Sequence, residues 1–139
     1  MTEAVLDASV VLKWFHADGE RHARAAQELR EQFEAGNLRV LAPALLWLEL
    51  INVAARSWRW SEPQLEELAT SLPALGFELI EPELPSVARW TARGLTAYDA
   101  TYVAVAELTG TQLISDDDQI VRAAPQHTTA LSPPDAKLR

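Results

Sequence analysis

The chain has 139 residues, 48% of them hydrophobic and none of them cysteine, enough apolar mass for one domain with a real core and no place for disulfides or thiolate zinc sites. Twenty acidic against twelve basic residues leave a net charge of −8. That sign excludes holding nucleic acid by broad attraction, so any nucleic-acid role must work through a local basic rim or bound cations.

Met1-Thr2-Glu3 lacks the basic flank and apolar run of a signal peptide, and the longest apolar region, Val40 to Ala55, is broken by Pro43, Glu49 and Asn52. The expectation is a soluble, cytoplasmic protein without membrane contact, folded as a single domain over residues 1–139. Ala4-Val5-Leu6 reads as a strand ending at Asp7, and Ser9 to Phe15 as a helix with Val10, Val11, Trp14 and Phe15 inward. From about Glu20 to Ala35, Ala25, Ala26, Leu29 and Phe33 recur at helical spacing until Gly36-Asn37 ends the run. Arg39 to Ala42 is a second strand, and Pro43 suits the first turn of a helix reaching about Arg59. On that helix Leu46, Leu50, Val53 and Ala54 share one side. Glu49 and Asn52 lie on a neighbouring stripe, an uncommon polar pair in so apolar a helix.

Ser61-Glu62-Pro63 opens a helix to about Leu72, and Phe77 to Ile80 forms a third strand. Pro82 and Pro85 frame the start of a helix from Ser86 to about Arg93, with Arg89 and Arg93 on one face. Thr96 is placed to cap the next helix, in which Ala97, Ala100, Val103, Ala104, Ala106 and Leu108 recur at spacings close to the helical period and which Gly110 stops. Asp99 falls in its first turn. Gln112 to Ser115 is a fourth strand, Asp116-Asp117-Asp118 follows it, and a short helix runs from about Gln119 to Ala124. Beyond Pro125 comes an irregular tail containing Ser132-Pro133-Pro134, with a last short strand at Thr128 to Leu131.

Strands alternating with helices imply an α/β fold, a three-layer α/β/α sandwich around a mostly parallel sheet of four to five strands. Ligands of such sheets bind beyond the carboxyl ends of the strands. Asp7 and the Asp116 to Asp118 run lie at such ends, and Asp99 and Glu49 can face the same crevice. Singly, each acid has an ordinary reading as a cap, a dipole partner or a solvent-facing residue. Together, several carboxylates in one cleft repel and raise one another's pKa unless a cation neutralises them. Oxygen ligands without His or Cys select Mg²⁺ or Mn²⁺ over zinc. His16, His22 and His127 are scattered without ligand spacing and read as structural or exposed.

Val5-Leu6-Asp7-Ala8-Ser9-Val10-Val11-Leu12-Lys13-Trp14-Phe15, then Pro43 with Glu49 and Asn52, then Leu95-Thr96-Ala97-Tyr98-Asp99-Ala100, then Leu113-Ile114-Ser115-Asp116-Asp117 closely resemble the PIN-domain nucleases, specifically the VapC-like toxins of bacterial toxin–antitoxin pairs. The resemblance spans about the first 125 residues in order. It implies a PIN fold, Mg²⁺-dependent endoribonuclease activity with Mn²⁺ able to substitute, a homodimer, and inhibition by a VapB-like antitoxin through which alone DNA is met. Carried over by position, Asp7, Glu49, Asp99 and Asp117 are the acidic quartet and metal ligands. The family's last motif selects Asp117, with Asp116 and Asp118 as the alternatives, and gives Ser115 a hydrogen-bonding role within the cluster.

Metal held by Asp7 and Asp99 would polarise the phosphoryl oxygen and acidify a bound water, with Glu49 and Asp117 completing the site around one ion or two. Lys13 and the pairs Arg56/Arg59 and Arg89/Arg93 are candidates for guiding RNA phosphates. Trp14, Phe15, Trp47, Trp58 and Trp60 exceed what a core of this size hides, so part of the set is expected on the surface. The antitoxin is expected to dock an apolar segment near Trp14 and Trp47 and a basic side chain among the four acids. Two other classes compete: a phosphatase with Asp7 as nucleophile, which has Ser9 where a second Asp is expected, and a non-catalytic binding module.

Overall fold

Ala4, Val5 and Leu6 are all buried, so the strand they close, β1 (Thr2–Leu6), is covered on both faces of its pleat. A computed structural model describes residues 1–131; the expected Ser132-Pro133-Pro134 stretch lies outside the described residues. β1 is the centre of a five-stranded sheet with β2 (Leu38–Ala42), β3 (Glu78–Leu79), β4 (Gln112–Ser115) and β5 (Thr128–Ala130), in the order β3-β2-β1-β4-β5 with every pair parallel. This is the α/β/α sandwich with a parallel sheet that the alternation of strands and helices predicts.

Chain direction across the sheet reverses once. From β1 to β3 the chain steps one way, and the crossovers put α1 (Ala8–Phe15), α2 (Ala23–Glu34), α3 (Leu45–Arg56) and α4 (Glu62–Ser71) together on one face, as the right-handed rule for parallel connections requires. The return from β3 to β4 places α5 (Leu84–Ala92) and α6 (Ala97–Thr109) on the other, and α7 (Asp118–Ala123) packs on β4 and β5. Small residues at Ala100, Ala104 and Ala106 let α6 lie close over β1, β2 and β4. The reversal opens a crevice between β1 and β4 at their carboxyl ends, where Leu6 is paired with Ile114. Asp7 and Asp116 to Asp118 emerge there.

Several boundaries differ from expectation for local reasons. The second helix begins at Ala23 rather than Glu20, because His22 sits in the left-handed region at φ 59° and a turn closes from Ala17 to Glu20. α3 ends at Arg56, since Arg59 is left-handed at φ 60° and the amides of Trp58 and Trp60 turn back to Val53 and Ala54. β3 keeps only two residues.

The tryptophans are built into the core more fully than their number suggests. Trp14 is buried, donates its indole N–H to the Ala26 carbonyl at 2.9 Å, and packs with Phe33 and Phe77, on which Trp47 stacks. Trp58 stacks on His16 and leans on Trp60. Trp47, Trp58 and Trp60 are half-buried; the large apolar side chains left exposed are instead Met1, Leu48, Leu79, Leu84, Tyr98 and Leu108. Trp14 therefore offers no docking surface, which corrects that half of the expectation. No helix among the described residues is long and apolar enough to cross a membrane.

Candidate active site

Asp7 follows the last residue of the central strand and is only 3% exposed. It occupies the N-cap position of α1 without capping it; its Oδ1 accepts from the Ser9 hydroxyl at 2.5 Å. Burial pushes its pKa up to about 6, with the charge of Asp99 adding to the rise and the hydroxyls of Ser115 and Ser9 opposing it. An acid in this state is poised for a counter-cation.

Asp99 is fixed by the start of α6, where its own amide donates to the Thr96 hydroxyl at 3.0 Å. Partial burial raises its pKa, and Asp117 raises it further. Glu49, reaching in from α3, accepts a hydrogen bond from the Tyr102 hydroxyl; burial raises its pKa, and Asp99 adds to it. Tyr102 is held far above the usual phenol range by burial and by Glu49, Asp7 and Asp99. Asp117 caps α7, accepting from the amides of Gln119 at 2.9 Å and Ile120 at 3.3 Å. The fold thus brings all four acids within electrostatic range, with Asp99 as the member that couples to each of the other three.

The rest of the Asp run points elsewhere. Asp116 meets Lys13 at 3.3 Å, His22 at 2.7 Å and Arg21 at 3.3 Å. Burial pushes its pKa up, but His22 and Lys13 outweigh that and hold it below the ordinary carboxylate value. Asp118 is exposed, with only Arg21 near it, at 3.8 Å. Two serines tie the turn to Asp7: the Asp116 amide donates to Ser9 at 2.9 Å and the Asp117 amide to Ser115 at 3.0 Å.

Lys13 is buried between Asp116 and Glu20, so it is a structural counter-ion and not a phosphate guide. Lys13→Ala would take one cation from Asp116, which keeps His22 and Arg21, and the partner from Glu20, and we expect it to lower stability by about 2 kcal/mol, read from the urea midpoint. An unchanged midpoint would show the pair to be dispensable. Arg89 is tied to Glu107, whose pKa it lowers, and Arg93 lies over Trp90 at 4.8 Å, with the His127 ring edge-on to the same indole. Glu107 is eight residues along α6 from Asp99, about 12 Å, which takes the Arg89 pair to the far end of the helix from the acids. Arg56 and Arg59 are exposed.

Among the described residues no three His, Cys, Asp or Glu side chains converge as closely as the ligands of one ion. Glu49 is held by Tyr102, and Asp117 by the α7 amides. The donor set nevertheless fits a hard cation: oxygen ligands only, one of them buried and raised in pKa. Two cavities of about 550 and 580 Å³ lie largely toward the amino ends of the strands, lined by residues such as Thr2, Ala4 and Ile114, and contain none of the four acids. Parallel sheets bind ligands at the opposite end, so the acid crevice is the stronger site. Ser9 and Tyr102 are the contributors that sequence reasoning passed over as such; Tyr102, three residues after Asp99 and so on its face of α6, was signalled by that spacing.

In fold the chain is similar to the crystal structure of PAE2754 from Pyrobaculum aerophilum, at 24% identity over 94% of this chain and 90% of that one, with a TM-score of 0.65. It is also similar to a toxin–antitoxin complex from Klebsiella pneumoniae (21% identity, 94% and 98% covered, TM-score 0.59) and to FitAB bound to an IR36 DNA fragment (15% identity, 92% and 94% covered, TM-score 0.64). No curated protein matches it by sequence. The PIN domain family model matches residues 4–125, from the central strand past the last helix and through all four acids, and the chain therefore belongs to the PIN domain family.

Proposed function

We propose that this PIN domain is a Mg²⁺-dependent endoribonuclease, the VapC-like toxin of a toxin–antitoxin pair, neutralised by a VapB-like antitoxin in the cytoplasm. The observation that carries the reading is a buried Asp7, its pKa raised to about 6, coupled to three further acids at the carboxyl ends of a parallel sheet. The likeness to a toxin–antitoxin complex and to FitAB supports the partner. A homodimer and contact with DNA through the antitoxin alone complete the proposal.

Mg²⁺ or Mn²⁺, held by Asp7 and Asp99 with Glu49 and Asp117, would supply Lewis-acid polarisation of the phosphoryl group and a lower pKa for a bound water. Ser9 and Ser115 fix the Asp7 carboxylate, and Thr96 fixes the turn that carries Asp99. Burial raises the pKa of Glu49, which makes its carboxylate a stronger base and a candidate to take a proton from an attacking water. Arg56 follows Glu49 by two turns on one stripe of α3, about 10 Å along, and is the candidate contact for a neighbouring RNA phosphate. A basic side chain of the antitoxin placed among the acids would neutralise them in place of metal.

Against the phosphatase reading, Ser9 stands where a second acid is needed and its hydroxyl is engaged by Asp7 and the Asp116 amide. A binding module has no use for the destabilisation that a buried Asp7 brings. The purified protein, free of its partner, is expected to cut labelled single-stranded RNA with Mg²⁺ or Mn²⁺ and to stop with EDTA. Hydrolysis of small phosphomonoesters without RNA cleavage would overturn the proposal.

A further inference from the structure

The Tyr102 ring is core, 1% exposed and packed where phenylalanine would serve equally well for burial. Its hydroxyl is the part that burial does not explain. A buried phenol must donate to something, and here the acceptor is Glu49 Oε1, fifty-three residues away on a helix from the opposite face of the sheet. The bond therefore joins the two outer layers across the carboxyl edge of the sheet, at the acid cluster. Among the described residues Glu49 has no other hydrogen-bond partner.

A glutamate side chain has three rotatable bonds, and without a partner Glu49 would sample several rotamers at the mouth of the crevice. With one oxygen fixed, the other is presented from a single orientation. The three-residue step from Asp99 to Tyr102 makes the arrangement rigid, because one helical turn carries both the acid and the hydroxyl that aims its neighbour.

Building on the nuclease reading, we propose that Tyr102 is a positioning residue: its hydroxyl holds Glu49 in the orientation in which that carboxylate serves a metal ion and the attacking water. Partners that orient ligands in this way are worth about 10–100-fold in metal affinity or rate.

The test is a double-mutant cycle of Tyr102→Phe and Glu49→Ala, read in two ways: Mn²⁺ affinity by electron paramagnetic resonance, and steady-state RNA cleavage. Tyr102→Phe is expected to weaken Mn²⁺ and lower kcat by about tenfold or more with KM for RNA unchanged, while circular dichroism shows the native fold. In the Glu49→Ala background the same substitution should change neither quantity. An equal loss in both backgrounds would mean that Tyr102 does not act through Glu49, and wild-type behaviour of Tyr102→Phe would mean that it positions nothing; either result overturns the proposal. Wild-type protein that binds Mn²⁺ but cuts no RNA would overturn the nuclease reading alone, with the affinity cycle still deciding the role of Tyr102. Wild-type protein that does neither overturns both.

Discussion

Asp7→Asn is expected to raise the melting temperature of the metal-free protein at neutral pH while reducing RNA cleavage by about a thousandfold or more. The two effects share one cause. Burial lifts the Asp7 carboxyl from 3.8 to about 6, so keeping it ionised at pH 7 opposes folding by about 3 kcal/mol. Because its folded pKa lies above its unfolded one, the folded state binds more protons between the two values. The contribution of Asp7 to stability is thus fully present below about pH 4 and is lost as pH rises to about 6. Asparagine carries no charge to desolvate, and its carbonyl can still accept from Ser9 and Ser115. A gain of about 2 kcal/mol corresponds to roughly 6–10 °C for a domain of this size. Thermal melts in EDTA at neutral pH should show it, and the advantage over wild type should shrink in acid. A variant less stable than wild type at neutral pH would mean that the charge of Asp7 is stabilised by something other than an absent cation.

The acids were legible to different degrees, for physical reasons. Asp99 was placed by a strictly local pattern: a threonine three residues before it, a small-residue helical period after it and a glycine stop. Thr96 and Gly110 occupy the expected cap positions. Asp7 was legible because a short apolar strand ending in an acid positions that acid at the sheet edge wherever the strand lies. The Asp116 to Asp118 run was not resolvable locally. Asp116 is turned away by Lys13, Arg21 and His22, about a hundred residues earlier, and no window of sequence contains both sides of those pairs. The charge of Lys13 points to a phosphate and its spacing to the core: it lies three residues after Val10 and beside Trp14, on the inner side of α1, and the spacing is the signal that holds. For the tryptophans, residue counting holds for Trp47, Trp58 and Trp60, which stay half-buried, and fails for Trp14, which packs with Phe33 and Phe77 inside a cluster where Trp47 stacks on Phe77.

Mn²⁺ should stabilise the wild-type protein strongly near neutral pH and progressively less below about pH 6. An ion binding only the folded state adds RT ln(1 + [L]/Kd), about 2.7 kcal/mol at a hundredfold excess over Kd. The acids must be ionised to bind it, so protons compete with metal. With Asp7 at about 6, one pH unit below that value leaves roughly a tenth of the carboxylate ionised, and apparent affinity should fall about tenfold. Glu49 and Asp99 are raised as well, which can only steepen the fall. The same linkage works in reverse: metal binding should release protons in weakly buffered solution, most at and just below the folded pKa of Asp7, where the metal-free carboxyl is still protonated. Without metal, acidification through this window relieves the buried charge; with Mn²⁺ it also removes the ligand that was offsetting that charge. The melting-temperature increment on adding Mn²⁺ should therefore be large at neutral pH, small in mild acid and nearly absent in Asp7→Asn at either. An increment independent of pH, or one retained in full by Asp7→Asn, would place the ion elsewhere on this acidic surface and separate the four acids from metal chemistry.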